Sequence, residues 1–242
     1  MAASGHEWTR NKERGLYKTI DGGRTWEKIL YKGDEAGVND IVMDPRDPDI
    51  LYATTWQRTR LKWNDPRTCP EHKNNGIWKT TDGGKSWTHL TNGLPESKYM
   101  GRTGIDLARS GPDVVYAFVD DYEVAFRAEE GDLDSYGRPK KDIIKGATLY
   151  RSDDAGASWR QVSGLTEETR RYMSGHSGTY GWVFGQMRVD PNDEDRVYTL
   201  GLYVNVSTDG GKTFEPIRRK FHVCLLYTSP SPRDRTRARM PS

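Results

Sequence analysis

Four times the chain runs a short strand into one and the same turn and leaves it through an aromatic residue: TIDGGRTW from Thr19, TTDGGKSW from Thr80, SDDAGASW from Ser152 and STDGGKTF from Ser207. Recurrence of one supersecondary unit constrains the architecture before any single residue does, because each copy buries its apolar faces against its neighbours. The turn has a physical reading. An aspartate carboxylate that accepts from backbone N–H groups of its own loop closes an Asx-type turn, and a following glycine supplies positive φ without a steric penalty. Asp21, Asp82, Asp154 and Asp209 are therefore expected to hold their loops shut. The ring five positions on (Trp26, Trp87, Trp159, Phe214) begins the returning strand and is expected to fill space between stacked sheets. Each copy is thus a hairpin: GLYKT into WEKIL, GIWKT into WTHL, TLYRS into WRQV and LYVNVS into FEPI.

These motifs match at Ser/Thr, Asp, Gly and the aromatic, and they resemble the Asp-box, or BNR, repeat S/T-x-D-x-G-x-x-W of sialidase-like, sortilin-like and xyloglucanase-like β-propellers. In those families the box is a structural turn, which implies a structural role for the four aspartates here. A second element recurs between the boxes: VNDIVMDPRDPDILYAT from Val38, GIDLARSGPDVVYAF from Gly104 and GQMRVDPNDEDRVYTL from Gly185. Asp44-Pro45 and Asp190-Pro191 are turn-initiating pairs, and Tyr52, Tyr116 and Tyr198 occupy matching places in the strand that follows. Each unit then has four strands, the composition of a propeller blade. The expected fold class is all-β, a partial β-propeller of four-stranded antiparallel blades with Asp-box turns, part of a larger ring. A half blade occupies 1–30, and blades occupy about 38–90, 102–162 and 181–217. Three and a half blades fall short of the four to eight with which rings typically close.

From Cys224 onward, CLLYTSPSPRDRTRARMPS has no strand period and no box. It resembles the in-frame translation of a sequencing adapter read through at the end of a DNA fragment, so 224–242 is expected to be a non-native tail without ordered structure, excluded from fold reasoning. Four arginines against Asp234 give that tail a charge of +3, so residues 1–223 carry −1 where the whole chain carries +2. The basic balance therefore gives no ground for a nucleic-acid partner. One cysteine, Cys69, remains in 1–223, which leaves no pair for a disulfide within it. No apolar run reaches transmembrane length, so no membrane segment is expected.

Strand order says which loops share a face. With the strands of a blade labelled A to D, the box joins C to D and lies on the side of the A–B turn, while the B–C and D–A connections gather on the opposite side. The long insertions, 54–75, 120–145 and 167–180, are all of the second kind, so that face is the expected working side. Trp8, Trp56, Arg58, Arg60, Trp63, Arg102, His176, Tyr180 and Trp182 are the candidate ligand-binding residues, since exposed rings beside arginine forks suit sugars and anionic groups. The alternative is that these rings pack the insertions onto the blades. For catalysis a glycosidase needs two carboxylates about 5 to 9.5 Å apart. Asp120, Asp121, Glu123, Glu129, Glu130, Asp132 and Asp134 form an acidic stretch that reads as a solvated loop, and Asp40 and Asp106 lie in inner-type strands. Neither set identifies a catalytic pair. His72, His89 and His176 lack metal-ligand spacing, so no metal and no cofactor is expected.

Over nearly all of 2–217 the chain resembles bacterial sortilin-like (VPS10-like) BNR-repeat proteins labelled glycosyl hydrolases, on ERGLYKTIDGGRTWEKIL, IVMDPRDPDILYATTWQRTR, GIWKTTDGGKSWTHLTNGLP and RVDPNDEDRVYTLGLYVNVSTDGGKTF. That resemblance implies export to the periplasm or exterior of a bacterium. Two functions follow from it. One is a recognition propeller binding a peptide, protein or glycan on the loop face opposite the boxes. The other is a xyloglucanase-like or sialidase-like glycoside hydrolase whose carboxylate pair lies partly outside 1–242.

Overall fold

The computed structural model describes residues 1–6, 9–57, 73–134, 136–140, 142–177, 185–201 and 204–217. Its strands form four antiparallel meanders in chain order. Blade 1 contains β1 (Ala2–Ala3), β2 (Gly15–Lys18) and β3 (Glu27–Leu30). Blade 2 contains β4 (Ala36–Met43), β5 (Leu51–Gln57), β6 (Gly76–Thr80) and β7 (Thr88–Leu90). Blade 3 contains β8 (Met100–Leu107), β9 (Val115–Phe126), β10 (Ile143–Ser152) and β11 (Arg160–Gln161), and blade 4 contains β12 (Gln186–Asp190), β13 (Asp193–Leu200), β14 (Val204–Ser207) and β15 (Glu215–Pro216). The repeat is preserved at the level of register. Tyr52 pairs with Val42, Tyr116 with Asp106 and Tyr198 with Arg188, so the three tyrosines occupy one structural position.

Each strand alternates between two seams because successive side chains leave opposite faces of a sheet. Ala53 and Trp78 of blade 2 face blade 1, where they meet Leu16 and Leu30. Tyr52 and Ile77 of the same strands face blade 3 and meet Ile105, Val115, Ala117 and Val119. On the far side of blade 3, Tyr116, Phe118 and Leu149 meet Met187, Val189, Val197 and Phe214 of blade 4. The core is therefore a series of sheet-to-sheet seams, and the aromatic that follows each turn seals the seam behind it. Trp87 donates its indole N–H to Ile29 O of blade 1 at 2.8 Å, and Trp159 and Phe214 are 6% and 9% exposed. Trp26, expected to be buried in the same way, is 45% exposed. The reason is positional: among the described residues no sheet covers that side of blade 1.

An eleven-residue helix, α1 (Glu167–Ser177), occupies the connection between blades 3 and 4, where strand patterning predicts only an insertion. It lies over the blade 3–4 seam with Met173, 2% exposed, in that core, and Tyr172 donates to Asn205 Oδ1 of β14 at 3.1 Å. Among the described residues no helix is long and apolar enough to cross a membrane.

Candidate functional site

The four turns are built alike. In the first, the Thr19 hydroxyl accepts Gly23 N–H at 2.9 Å and donates to Asp21 Oδ1 at 2.8 Å, while Oδ1 also accepts Arg24 and Thr25 N–H at 2.9 Å and Oδ2 accepts the Thr25 hydroxyl at 2.6 Å. Asp82 with Thr80 and Ser86, Asp154 with Ser152 and Ser158, and Asp209 with Ser207 and Thr213 repeat this arrangement. Hydrogen bonds to the ionised form, led by that from the Thr25 or Ser158 side chain, hold Asp21 and Asp154 at about 2. The turn's next N–H reaches the A–B connection of its own blade or the first residues of the strand after it, from Gly83 to Asp49 O, Ala155 to Asp113 O and Gly210 to Asp195 O at 2.8 to 3.0 Å. Both kinds of turn thus share one face, and the four aspartates of the repeated motif on it are consumed by their own loops.

The opposite face carries the elaborations. β9 and β10 continue past the four-stranded part of blade 3, where Met100 pairs with Asp121, and form a two-stranded arm paired as far as Phe126 and Ile143. This corrects the reading of the acidic stretch as a solvated loop for its first part, Asp120, Asp121 and Glu123, while Glu129, Glu130 and Asp132 beyond β9 are exposed as that reading expects. Asp120 and Asp121 lie within β9, 8% and 0% exposed, and point into opposite seams. Burial pushes Asp120 up to about 7, opposed by a hydrogen bond with Tyr122, and the Asp121 charge adds to the rise. Burial also raises Asp121, whose carboxylate accepts Glu123 N–H at 2.9 Å and the Tyr150 hydroxyl at 3.1 Å, with Lys145 Nζ at 3.9 Å. Gly101 makes room for this arrangement, since a Cβ there would lie 2.6 Å from Tyr122 Cζ. In the sequence, β-prone residues flank the two aspartates on both sides in VYAFVDDYEVAF, which indicates a strand there but not the burial of the carboxylates.

Near the axis, the two inner-strand aspartates fasten neighbouring blades. Asp40 accepts Ile105 N–H of β8 at 3.2 Å and its neighbour Ile41 N–H at 3.0 Å. Asp106 does the same with Val189 N–H of β12 at 3.0 Å and Leu107 N–H at 3.0 Å. Burial raises both carboxyls, and the Arg188 guanidinium on β12 counters the rise in each. Every one of their oxygens carries a backbone hydrogen bond, which suits a strand clasp.

Of the sequence-derived ligand residues, Trp56, the penultimate residue of β5, is 8% exposed and turns by strand alternation toward blade 3, as does Thr54, whose hydroxyl donates to Thr103 O at 2.9 Å. Arg102 lies half-buried in β8, and His176 lies in α1. Trp8, Arg58, Arg60, Trp63, Tyr180 and Trp182 fall outside the described residues, as do His72 and the stretch 224–242.

No family model matches the chain. Over 171 residues it is 25% identical to xyloglucanase Xgh74A of Acetivibrio thermocellus, an alignment covering 66% of this chain and 17% of that relative. The chain therefore corresponds to well under two thirds of the curated relative it matches. The structure of the GH74 xyloglucanase from Xanthomonas campestris superposes with a TM-score of 0.51 at 18% identity, over 86% of this chain and 27% of that one. That of an ancestral GH74 enzyme also gives 0.51, at 12% identity, over 90% of this chain and 25% of the other. These likenesses, together with the four stacked antiparallel meanders, establish an all-β fold of propeller blades.

Proposed function

We propose that this chain is a recognition propeller that binds a carbohydrate across the face opposite the aspartate turns. The observation that carries the reading is the asymmetry of the two faces. One bears tight turns whose carboxylates are satisfied within their own loops, and the other bears the β9–β10 arm and α1. Ligand sites concentrate on loops displayed by a rigid scaffold. The relative named as a xyloglucanase supports a glucan over a peptide as the ligand class. Binding without cleavage is favoured because Asp40 and Asp106 hold the inner strands together through all four of their oxygens.

The second reading, glycoside hydrolysis, draws on one observation. Asp120 lies at the elaborated end of blade 3 with its carboxyl pushed to about 7, so a substantial fraction of it carries at neutral pH the proton that a general acid donates. One experiment separates the two. The chain is run through native gels containing xyloglucan, and reducing ends are measured after incubation with the same polymer. Recognition predicts retardation without new reducing ends. Release that disappears in Asp120→Asn establishes hydrolysis instead, and unretarded migration without release removes the carbohydrate reading altogether.

A further inference from the structure

The arm that β9 and β10 extend from blade 3 ends in a built tip. Asp134 Oδ1 accepts the N–H groups of Tyr136 at 2.8 Å and Arg138 at 3.0 Å, and Oδ2 accepts Arg138 Nε at 2.9 Å. Backbone bonds from Asp134 N to Arg138 O, Gly137 N to Asp134 O and Lys140 N to Asp132 O, at 2.8 to 3.0 Å, close the turn, and Leu133 bridges to Pro139. Further back, Ala128 N–H is held by Asp142 Oδ1 at 2.9 Å. What this ordered turn presents is Tyr136, 79% exposed, the most exposed aromatic ring among the described residues. The Arg138 guanidinium lies 5.0 Å from the ring centroid, so one face is backed by a cation fixed in place by Asp134 while the ring remains open to solvent.

Fixing a large ring in water at the end of an arm gains nothing for the fold, since the ring buries almost no area there. It does gain for a ligand, because the entropy of ordering the side chain has been lost in advance. The charges identify the kind of ligand. Arg138 is neutralised by Asp134 at 2.8 Å and Lys140 by Asp132 at 3.2 Å, so the tip offers hydrogen-bonding groups around an aromatic plane with little net field to select an anion or a cation. The tip is also too small for the roughly 800 Å² per partner of a stable protein interface. A neutral sugar ring fits both conditions, since it presents an apolar C–H face to the tyrosine and carries no charge to be selected.

We propose that Tyr136 is a stacking platform for a neutral polysaccharide, with Asp134 and Arg138 as its positioning residues; this rests on the carbohydrate reading above. The test is affinity electrophoresis of the full chain in xyloglucan and in hydroxyethylcellulose, comparing wild type with Tyr136→Ala, Tyr136→Trp and Asp134→Ala. Circular dichroism on each variant checks that the exposed substitutions leave the fold intact. Tyr136→Ala is expected to weaken retardation about tenfold, the scale of one aromatic contact, and Tyr136→Trp to preserve it. Asp134→Ala, which keeps the ring but loosens its mount, should fall between. Wild type retarded and Tyr136→Ala retarded equally overturns the platform while leaving the carbohydrate reading in place. Wild type unretarded in both polymers overturns both.

Discussion

Ala155 occupies the second position of its turn at φ 55°, where the other three turns carry Gly22, Gly83 and Gly210 at 75°, 70° and 73°. An L-residue with a Cβ pays about 1 to 2 kcal/mol for this left-handed conformation, and glycine avoids it. The turn forms regardless because the Asp154 carboxylate and the Ser152 hydroxyl bind three of its N–H groups, and because the Ala155 carbonyl accepts both the Tyr52 hydroxyl at 2.9 Å and Lys79 Nζ at 2.8 Å from blade 2. Ala155→Gly keeps all of these bonds and relieves the strain, while giving back part of the gain as unfolded-state entropy. The expected result is a rise in stability of up to about 1 kcal/mol, read as a higher urea midpoint at unchanged slope. A lower midpoint would show that the position is relaxed as alanine.

At the scale of elements, the seams show what strand alternation can specify and what it cannot. The turn motif and the matching tyrosines were legible because their chemistry is local: an aspartate binds N–H groups within four residues of itself, and a β-strand has a two-residue period. The burial of Asp120 and Asp121 was not legible, because acidic residues raise the expectation of solvent and only the length of β10 opposite them shows that β9 continues. Helix α1 was missed for a related reason, since EETRRYMSGHS carries three glycine or serine breakers and a single strongly apolar residue. That residue is what docks it. Met173 is 2% exposed between Ala147, Leu149 and Met187, whereas Glu168 on the same helix is exposed. Met173→Ala should therefore cost about 2 to 5 kcal/mol, and Glu168→Ala should stay within about 0.5 kcal/mol of wild type. Thermal unfolding of the two variants checks this, and equal effects would mean that α1 does not seal the blade 3–4 seam.

At the scale of the molecule, blades are joined by a repeating fastening: Lys18 to Gly83 O at 2.9 Å, Lys79 to Ala155 O at 2.8 Å and Arg151 to Asp195 at 2.5 Å on the turn face, with Asp40 and Asp106 near the axis. Because each blade contacts only its neighbours, stability is a sum over blades and seams, and titratable groups in the two places act with opposite sign. Asp21 and Asp154 in the turns titrate near 2, below the unfolded value of about 3.9, so their stabilisation is present above about pH 4 and is lost as pH falls through 2. Asp120 in the blade 3–4 seam titrates near 7, above its unfolded value, so its stabilisation is complete below about pH 4 and is lost as pH rises through 7. Burial raises Asp40 and Asp106 as well, which adds to the second trend. The melting temperature should accordingly climb from pH 2 to a maximum near 4 to 5 and decline toward pH 8. Asp120→Asn, which cannot ionise, should flatten the decline between pH 5 and 8 and leave the acid limb unchanged. Melting curves of both proteins across that range decide the matter, and a decline of the same slope in Asp120→Asn would assign it to groups other than the buried carboxyl of β9.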